Sequence, residues 1–219
     1  MKTKMISWQT ARNSAVMVLA LGLLVTTARA DDALDLLADG LSSWQTDKPD
    51  TWVVNDGVLS PSDKPGGYIW SKEAYGDLEL TLEYKTSKEC NSGVFFRTDP
   101  KNAVQGGFEI QVASNDIYEG KQVVGSLYDA QAPTERAGKA DGEWNTLKLS
   151  CKGSKITAVL NGKTVVEADI DQWTTANKNP DGSKNKFTTA LKDLPRTGHV
   201  GLQYHGHPVW FRNIKLKKL

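Results

Sequence analysis

The sequence predicts an all-β fold built as a sandwich of two antiparallel sheets. Three observations favour this fold: short segments of alternating apolar and polar residues recur, turn-forming residues separate them, and helix-period segments are nearly absent. The Asn161-Gly162 pair, which lies between two apolar runs in 155–166, is the strongest hairpin signal in the chain. Neighbouring antiparallel strands therefore dominate the expected architecture.

The predicted elements follow one another along the chain with short loops between them. A short amphipathic stretch at 32–41 predicts one helical turn. The predicted strands lie at 51–59 (two short strands around an Asn-Asp-Gly turn), 68–71, 78–85, 93–98, 106–112, 123–128, 144–151, 155–166 (a hairpin), 199–205 and 209–219. The longest irregular region is 171–197, and a loop of that length inside a compact domain is more often functional than idle.

The first 30 residues predict a secretory leader that is not part of the fold. Basic residues at 2–12 precede an apolar run at 15–25, and the small-residue pattern Ala28-Arg29-Ala30 follows. Cleavage after Ala30 would leave 31–219 as a single domain of 219 minus 30, or 189, residues. The apolar run of about ten residues is too short to span a bilayer. We therefore expect an exported protein, periplasmic or secreted, without a membrane span.

The charge of the domain argues against nucleic acid as a partner. The leader holds four of the 27 basic residues and none of the 26 acidic ones, so the mature formal charge is 23 minus 26, or −3. A phosphate-binding domain usually shows a basic patch instead. The sequence does not predict an oligomeric state.

Two cysteines, Cys90 and Cys151, remain after the leader is removed. An exported protein reaches a compartment that permits disulfides. A bridge between the two residues and a pair of free core thiols both stay open.

Three predicted strands share a pattern that indicates a functional face. Their apolar residues occupy one phase and are expected to be buried: Val94, Phe96, Phe108, Ile110, Val112, Val200 and Leu202. The opposite phase holds Arg97, Glu109, Gln111, Gln203 and His205. A solvated sheet face is the simplest interpretation of such a pattern. However, solvated faces tend to fill with Lys, Glu and Thr, so this set of Arg, Gln and His favours a binding or catalytic face.

Six motifs in the domain occur in a fixed order. They are YGDLEL at 75–80, NSGVFFR at 91–97, GFEIQ at 107–111, GEWN at 142–145, LNG at 160–162, and GHVGLQYHG with VWFRNI within 198–214. In this order the chain resembles the 3-keto-disaccharide hydrolase domain family. The resemblance implies a concanavalin- or glucanase-like jelly roll of two curved antiparallel sheets, with a carbohydrate ligand on the concave sheet.

The carboxylates of the predicted face do not suit an ordinary glycosidase. Such an enzyme needs two carboxyl groups about 5 to 9 Å apart, and related jelly-roll glucanases usually present them from one strand. Here Glu109 is followed by Gln111 at the next position of the same phase. A second acid would have to approach from a loop, for example Asp116, Glu119 or Asp129. A sugar oxidised at C3 needs only one base, because the ketone acidifies the C2 hydrogen and the C1 substituent can leave by elimination.

The resemblance implies an enzyme that cleaves 3-keto-glycosides, such as 3-keto-disaccharides, by C2 proton abstraction, elimination and hydration. In this scheme Glu109 or His205 is the base, and Arg97 stabilises the enolate oxygen. Gln111 and Gln203 hold sugar hydroxyls. Glu109 and Arg97 could instead form a cross-strand ion pair, and His205 could be a turn residue. The alternative for the whole domain is a non-catalytic carbohydrate-binding jelly-roll module.

The aromatic residues divide by the same phase test. Phe96, Trp144 and Phe211 lie in apolar phases of predicted strands and are expected in the core. The candidates for stacking on a sugar ring are Trp70, Tyr128, Trp173 and Trp210, with Tyr128 favoured as a substrate-binding residue. A rim aromatic without a ligand is the alternative role for Tyr128.

The sequence requires no cofactor, although a divalent cation stays open. His199 and His205 would lie about 20 Å apart along a strand at roughly 3.3 Å per residue, too far to share an ion. Only His205 and His207 could meet, and they would need a carboxylate such as Glu109. The spacing fits no standard motif, so no metal ligand is assigned.

Overall fold

A computed structural model describes Met1 and residues 33–64 and 67–219, so the predicted leader and its cleavage site lie outside the described residues apart from Met1. The described chain is an antiparallel sandwich, as the strand pattern predicts, and a concanavalin-like jelly roll, as the family resemblance implies. Its strands are β1 (Leu34–Asp35), β2 (Trp44–Gln45), β3 (Trp52–Asn55), β4 (Val58–Pro61), β5 (Tyr68–Tyr75), β6 (Leu78–Thr86), β7 (Asn91–Thr98), β8 (Phe108–Ala113), β9 (Asn145–Lys152), β10 (Lys155–Leu160), β11 (Lys163–Asp169), β12 (Gly198–Gln203) and β13 (Val209–Lys218).

The strands form two antiparallel sheets. The eight-stranded sheet runs β11-β10-β9-β6-β13-β4-β3, and β1 adds to it by pairing with β13. The five-stranded sheet runs β2-β5-β12-β7-β8. Four short 3₁₀ turns complete the described structure, at Pro100–Asn102, Gly120–Gln122, Ile170–Gln172 and Leu191–Asp193. Within the described ranges, no helix has the length and apolar character needed to cross a membrane.

The core between the sheets confirms the predicted strand register. All seven residues expected to be buried are at most 1% exposed. Phe96 and Phe211 are also fully buried, but the placement of Trp144 in the core is wrong. Trp144 precedes β9 and is only half-buried, with the Arg212 guanidinium 4.0 Å from its ring centroid. The side chain therefore packs under a cation on the outer face of the eight-stranded sheet.

Two other predicted elements differ from the structure. Residues 36–43 form turns between β1 and β2 rather than a helical turn. The segment 123–128 is not a strand, because it contributes only two isolated bridges, both at Leu127, to Ile110 and to Gln131. Instead it lies along β8, the edge strand of the five-stranded sheet, and its backbone exchanges hydrogen bonds with Glu109 and Gln111. The loop thereby covers a sheet edge that would otherwise present unpaired backbone groups.

Both cysteines are buried free thiols. Burial raises the pKa of Cys90 and of Cys151 to about 12. The structure therefore favours the open alternative of two core thiols over a disulfide.

Candidate functional site

A cavity of about 250 Å³ opens on the outer face of the five-stranded sheet. The strand register assembles it, because β7 sets Phe95 opposite Glu109 and β12 sets Gln203 opposite Tyr68. Five of the residues predicted from the sequence line this cavity: Glu109, Gln111, Tyr128, Gln203 and His205. The expectation that Glu109 and His205 share one face is therefore confirmed.

Arg97 does not lie on this face, and its predicted placement is wrong. Between Phe95 and Thr98, β7 carries one more residue than the paired stretch of β12, so a bulge interrupts the alternation of side chains. Arg97 adopts a φ of +49° at this bulge and is fully buried. Its guanidinium donates to the carbonyls of Gly76 and Gly153 at 2.9 and 2.7 Å, and to Asp77 Oδ1 at 2.8 Å. Arg97 is thus neither an oxyanion partner in the cavity nor an ion-pair partner of Glu109.

Glu109 is the buried acid of the cavity. Its carboxyl group extends across Gly93 on the neighbouring strand, where a Cβ atom would lie 2.1 Å from Glu109 Oε1. Position 93 must therefore be glycine for the acid to occupy this place. The residue is only 7% exposed, and burial raises the pKa of Glu109 to about 7 although the nearby Lys186 lowers it. Such a carboxyl group is poised to exchange protons near neutral pH.

The positive charge in the cavity comes from Lys186 and not from Arg97, where the sequence predicted it. It belongs to the long irregular region 171–197, and its Nζ lies 3.8 Å from Glu109 Oε2 and 4.4 Å from the ring centroid of Tyr128. Burial lowers the pKa of Lys186, while Glu109 and Asp129 raise it. An opposite charge at this distance favours the ionised form of the carboxyl group.

The loop that carries Lys186 is fixed by hydrogen bonds from other segments. Gln105 Nε2 donates to the Lys186 carbonyl at 2.9 Å, and the Lys186 amide donates to Asp129 Oδ2. Asn179 anchors the same region, because its Oδ1 accepts from Trp173 Nε1 and Asn185 Nδ2, both at 2.8 Å. These contacts hold Lys186 over the cavity. No periodic pattern in the sequence distinguishes Lys186 from the other lysines of the loop.

Side-chain amides connect Glu109 with the open end of the cavity. The Gln111 amide lies 3.2 Å from Glu109 Oε1, and its other end lies 3.1 Å from the Asn91 amide. Asn91 in turn lies 3.4 Å from His205 Nδ1. Gln111 is only 1% exposed, so its amide contacts Glu109 and Asn91 and is not free to bind a ligand. Asn91 was missed because the sequence places it at the start of a strand, before the alternating pattern begins.

An aromatic floor lies beside these amides. Tyr68 stacks on Trp70 at a centroid distance of 5.2 Å, and both contact Phe95 edge-on at 5.4 and 5.6 Å. Gly201 makes room for this floor, because a Cβ there would lie 2.2 Å from the Trp70 ring. Gln203 Nε2 donates to the Tyr68 hydroxyl at 3.1 Å, which directs both polar groups toward the cavity.

Of the four candidates for sugar stacking, only Tyr128 lines this cavity. Trp70 and Trp173 are 2% and 6% exposed, so neither offers a free ring face, and their predicted role is wrong. Trp210 lies on the other sheet, where Lys85 Nζ is 4.7 Å from its ring centroid. The backbone amide of Tyr128 donates to the Glu109 carbonyl at 2.9 Å, which fixes the ring beside the acid.

The histidines do not build a metal centre in the part of the chain that the structure describes. No group of three or more His, Cys, Asp or Glu side chains there lies close enough together to hold an ion. His205 and His207 are exposed, and His199 Nδ1 lies 2.8 Å from the Ser71 carbonyl.

The chain is a jelly-roll domain of the glycosyl hydrolase type, and comparison with known proteins identifies the family. The profile of the 3-keto-alpha-glucoside-1,2-lyase-like domain matches residues 34–217. The chain belongs to this family.

Relatives with known structures or functions support this assignment. A candidate glycosyl hydrolase from Parabacteroides distasonis is 34% identical, with a TM-score of 0.80 over 86% of this chain and 100% of that one. A second structure from that organism is 22% identical, with a TM-score of 0.67 over 81% of this chain and 88% of the other, and supports the fold alone. The 3-keto-disaccharide hydrolase of Bacteroides thetaiotaomicron is 27% identical over an alignment of 206 residues, and the match covers 78% of this chain and 71% of the relative.

Proposed function

We propose that this protein cleaves 3-keto-glycosides, with Glu109 as the base that removes the C2 proton. One observation carries the proposal: among the described residues that line the cavity, Glu109 is the only carboxylic acid, and burial raises its pKa to about 7. The family and the named relative from Bacteroides thetaiotaomicron support a keto sugar as the substrate.

A single carboxylate favours elimination over direct hydrolysis. Ordinary glycosidases flank the scissile bond with two carboxyl groups, and the cavity lining supplies one. The 3-keto group changes the requirement, because it makes the C2 hydrogen acidic. Glu109 takes this proton, and the electron pair of the C–H bond forms the enolate of the C3 ketone. The enolate then expels the C1 substituent and leaves a C1=C2 double bond.

Lys186 and His205 complete the charge and proton balance of this step. Lys186 places a positive charge 3.8 Å from the Glu109 carboxylate, where it also faces the developing enolate oxygen of a bound sugar. His205 lies at the exposed end of the same cavity and protonates the departing aglycone oxygen. Water then adds across the double bond, so that the net reaction is hydrolysis.

The remaining polar lining binds and orients the sugar. Gln203 and the Tyr68 hydroxyl form a hydrogen-bonded pair that can meet sugar hydroxyls. Tyr128 offers its ring edge beside Lys186, and the cation on its face disfavours stacking of a sugar on that same side. Gln111 acts by positioning Glu109. This assignment differs from the substrate-holding role expected from the sequence, because both ends of the Gln111 amide contact protein groups.

We further propose that the enzyme works outside the cytoplasm, in the periplasm or after secretion. The support is the leader-like sequence at 1–30.

The test is turnover of a 3-keto-glycoside by purified protein in D₂O. Elimination followed by hydration places deuterium at C2 of the keto sugar product, whereas direct hydrolysis leaves the C2 hydrogen in place. A reaction without enzyme measures spontaneous exchange at C2. We expect Glu109→Gln to lower kcat by about 10²- to 10⁴-fold with a much smaller change in sugar affinity.

Glu119→Gln is the matched control, since Glu119 is highly exposed and pairs with Arg136 outside the cavity. It should leave kcat unchanged. If Glu109→Gln keeps near-normal turnover, the base assignment is wrong and His205 takes that role. Sugar binding without turnover by the unmodified protein would instead support a carbohydrate-binding module.

A further inference from the structure

A row of four polar side chains runs from the solvent-exposed rim of the cavity to its buried acid. The His205 imidazole is 3.4 Å from the Asn91 amide, which is 3.1 Å from the Gln111 amide, which is 3.2 Å from Glu109 Oε1. Every contact joins titratable or reversible groups, because an amide can present either its oxygen or its nitrogen to a given neighbour. The direction of the row is therefore set by its two end groups and by any other group that contacts the amides.

The row has two self-consistent directions. In the first, Gln111 Nε2 donates to Asn91 Oδ1 and Asn91 Nδ2 donates to His205 Nδ1, so the imidazole nitrogen accepts and Gln111 Oε1 faces the carboxyl group. Glu109 must then be protonated to donate to Gln111. In the second direction, both side-chain amides are rotated by half a turn, so that the oxygen and nitrogen of each amide exchange places. Gln111 Nε2 then donates to Glu109 Oε1, which is ionised, and His205 Nδ1–H donates to Asn91.

We propose that Asn91 and Gln111 form a reversible hydrogen-bonded chain that couples the protonation of His205 Nδ1 to the ionisation of Glu109. When Glu109 is ionised, the chain holds a proton on His205 Nδ1. When Glu109 is protonated, the chain turns and Nδ1 becomes an acceptor. The amides reorient and carry no proton, since each end exchanges its own proton with substrate or water.

A backbone carbonyl selects the resting direction. In the second arrangement Gln111 Nε2 also donates to the Ser92 carbonyl at 3.2 Å, whereas in the first two oxygen atoms face each other at that distance. Lys186 favours the same state, because its Nζ is 3.8 Å from Glu109 Oε2. Burial opposes ionisation of the carboxyl group. Tyr68 and Tyr128 line the same cavity, and burial together with the charge of Glu109 raises the pKa of both hydroxyls, which therefore stay neutral. Asp129 accepts a hydrogen bond from the Lys186 backbone amide, and its charge counters the effect of burial, which lowers the pKa of Lys186.

The His205 end of the chain lies in water. Its imidazole is exposed, and within the described residues Asn91 is its one side-chain hydrogen-bond partner. Among the described residues, Asn91 is therefore the side chain through which the row reaches Nδ1, and the rest of the imidazole faces solvent.

The coupling rests on the proposed function and explains how one cavity prepares both a base and an acid. In the favoured direction an ionised Glu109 occurs together with a proton on His205 Nδ1, which donates to Asn91 and leaves Nε2 as the nitrogen that protonates the aglycone. After elimination Glu109 has gained the C2 proton, and His205 has lost its Nε2 proton but keeps the one on Nδ1. The opposite direction forms when water returns a proton to Nε2 and takes the one on Nδ1, and exchange of both end groups with water then restores the starting arrangement.

The experiment is an NMR titration of His205 in protein labelled with ¹⁵N and ¹³C on histidine. The chain has only three histidines, and His205→Gln assigns the resonance. Four proteins form a cycle: wild type, Glu109→Gln, Asn91→Leu and the double variant. At pH 8, wild type should show the Nδ1–H tautomer of neutral His205, and Asn91→Leu should lose that preference. We expect Glu109→Gln to lower the fraction of the Nδ1–H tautomer in the wild-type background and to change it by less than half as much in the Asn91→Leu background.

If Glu109→Gln changes the His205 signal equally in the wild-type and Asn91→Leu backgrounds, the two groups interact only through space and the proposal is wrong. The proposal is also wrong if Glu109→Gln causes no change in the wild-type background. Asn91→Ala repeats the test with a smaller side chain, and thermal melting of each variant confirms that it is folded. The titration measures no turnover. If the protein binds sugar without cleaving it, the coupling still succeeds or fails by the same numbers, so the two proposals are tested separately.

Discussion

Replacing Lys186 with methionine tests the electrostatics of the site most directly. Methionine keeps much of the side-chain volume and removes the charge that lies 3.8 Å from Glu109 Oε2. Two unit charges about 4 Å apart interact by roughly 4 kcal/mol at an effective dielectric constant of 20. Solvent contact reduces this value, because the Lys186 side chain is 22% exposed. Measured effects of a neighbouring cation on a carboxyl pKa are about 1 to 3 units, and we expect about 1 to 2 here.

The sign follows from the role of Glu109 as a base. The carboxyl group must be ionised to accept a proton, so kcat/KM should rise with pH through its pKa of about 7. Without Lys186 the pKa rises, and the midpoint of the profile should move to about pH 8 to 9. Activity at pH 6 should then fall by about a further 10- to 100-fold. If Lys186 also stabilises the enolate, the maximum of the pH profile should fall separately, by up to about 10²- to 10³-fold.

The assay is kcat/KM for a 3-keto-glycoside between pH 5 and 9.5. Lys186→Arg keeps the charge and should keep the midpoint near that of wild type. Lys192→Met is the matched control from the same loop, since Lys192 pairs with Asp193 and does not line the cavity. A midpoint that stays in place or moves to lower pH in Lys186→Met would refute the electrostatic reasoning.

Four further predictions concern stability, sterics, thiols and processing. The folded-state pKa of Glu109 is about 7, above its ordinary value of 4.5, so wild type loses stability as pH rises between these two values. Urea unfolding at pH 5 and at pH 8 should show a loss of up to roughly 3 kcal/mol for wild type and no such loss for Glu109→Gln. Gly93→Ala should displace the carboxyl group and lower kcat by about 10²-fold or more, whereas Gly67→Ala, with nothing within 4 Å of its new Cβ, should not. Thiol reagents should label neither cysteine before denaturation and both after it, and a reductant should leave the melting temperature unchanged. Mass spectrometry of the exported protein should find Asp31 at the amino terminus, and a mature chain that retains the leader would contradict the predicted cleavage.

The strands and their register could be predicted because burial imposes a period of two. Each of the seven apolar residues chosen by phase lies in the core. The same pattern located Glu109, Gln111 and Gln203 on one face, since a slip of one residue would have turned them toward the core between the sheets and the apolar set away from it. The hairpin at Asn161-Gly162 also forms, between β10 and β11.

The failures occur where the period is broken or absent. Arg97 was misplaced because a bulge in β7 is not visible in the local alternation of residue types. Lys186 was missed because it reaches the cavity from an irregular loop whose conformation depends on long-range contacts to Gln105 and Asp129. The edge position of β8 also could not be predicted, because strand order is a property of the sheet and not of the strand. The alternation of residue types along the strands therefore locates Glu109 but not the Lys186 cation beside it.

The position of β13 has a consequence for the order of folding. This last strand lies between β6 and β4 inside the eight-stranded sheet and also pairs with β1, joining Leu34 to Leu216 across almost the whole domain. The large sheet therefore cannot close until residues 209–218 are available. Sheets that depend on such distant pairings pay a large loop-closure entropy before their contacts form, and they fold on a scale of milliseconds to seconds. Strands β9, β10 and β11 can form a local meander earlier, but the sheet that supports the cavity from behind is completed by the last strand of the chain.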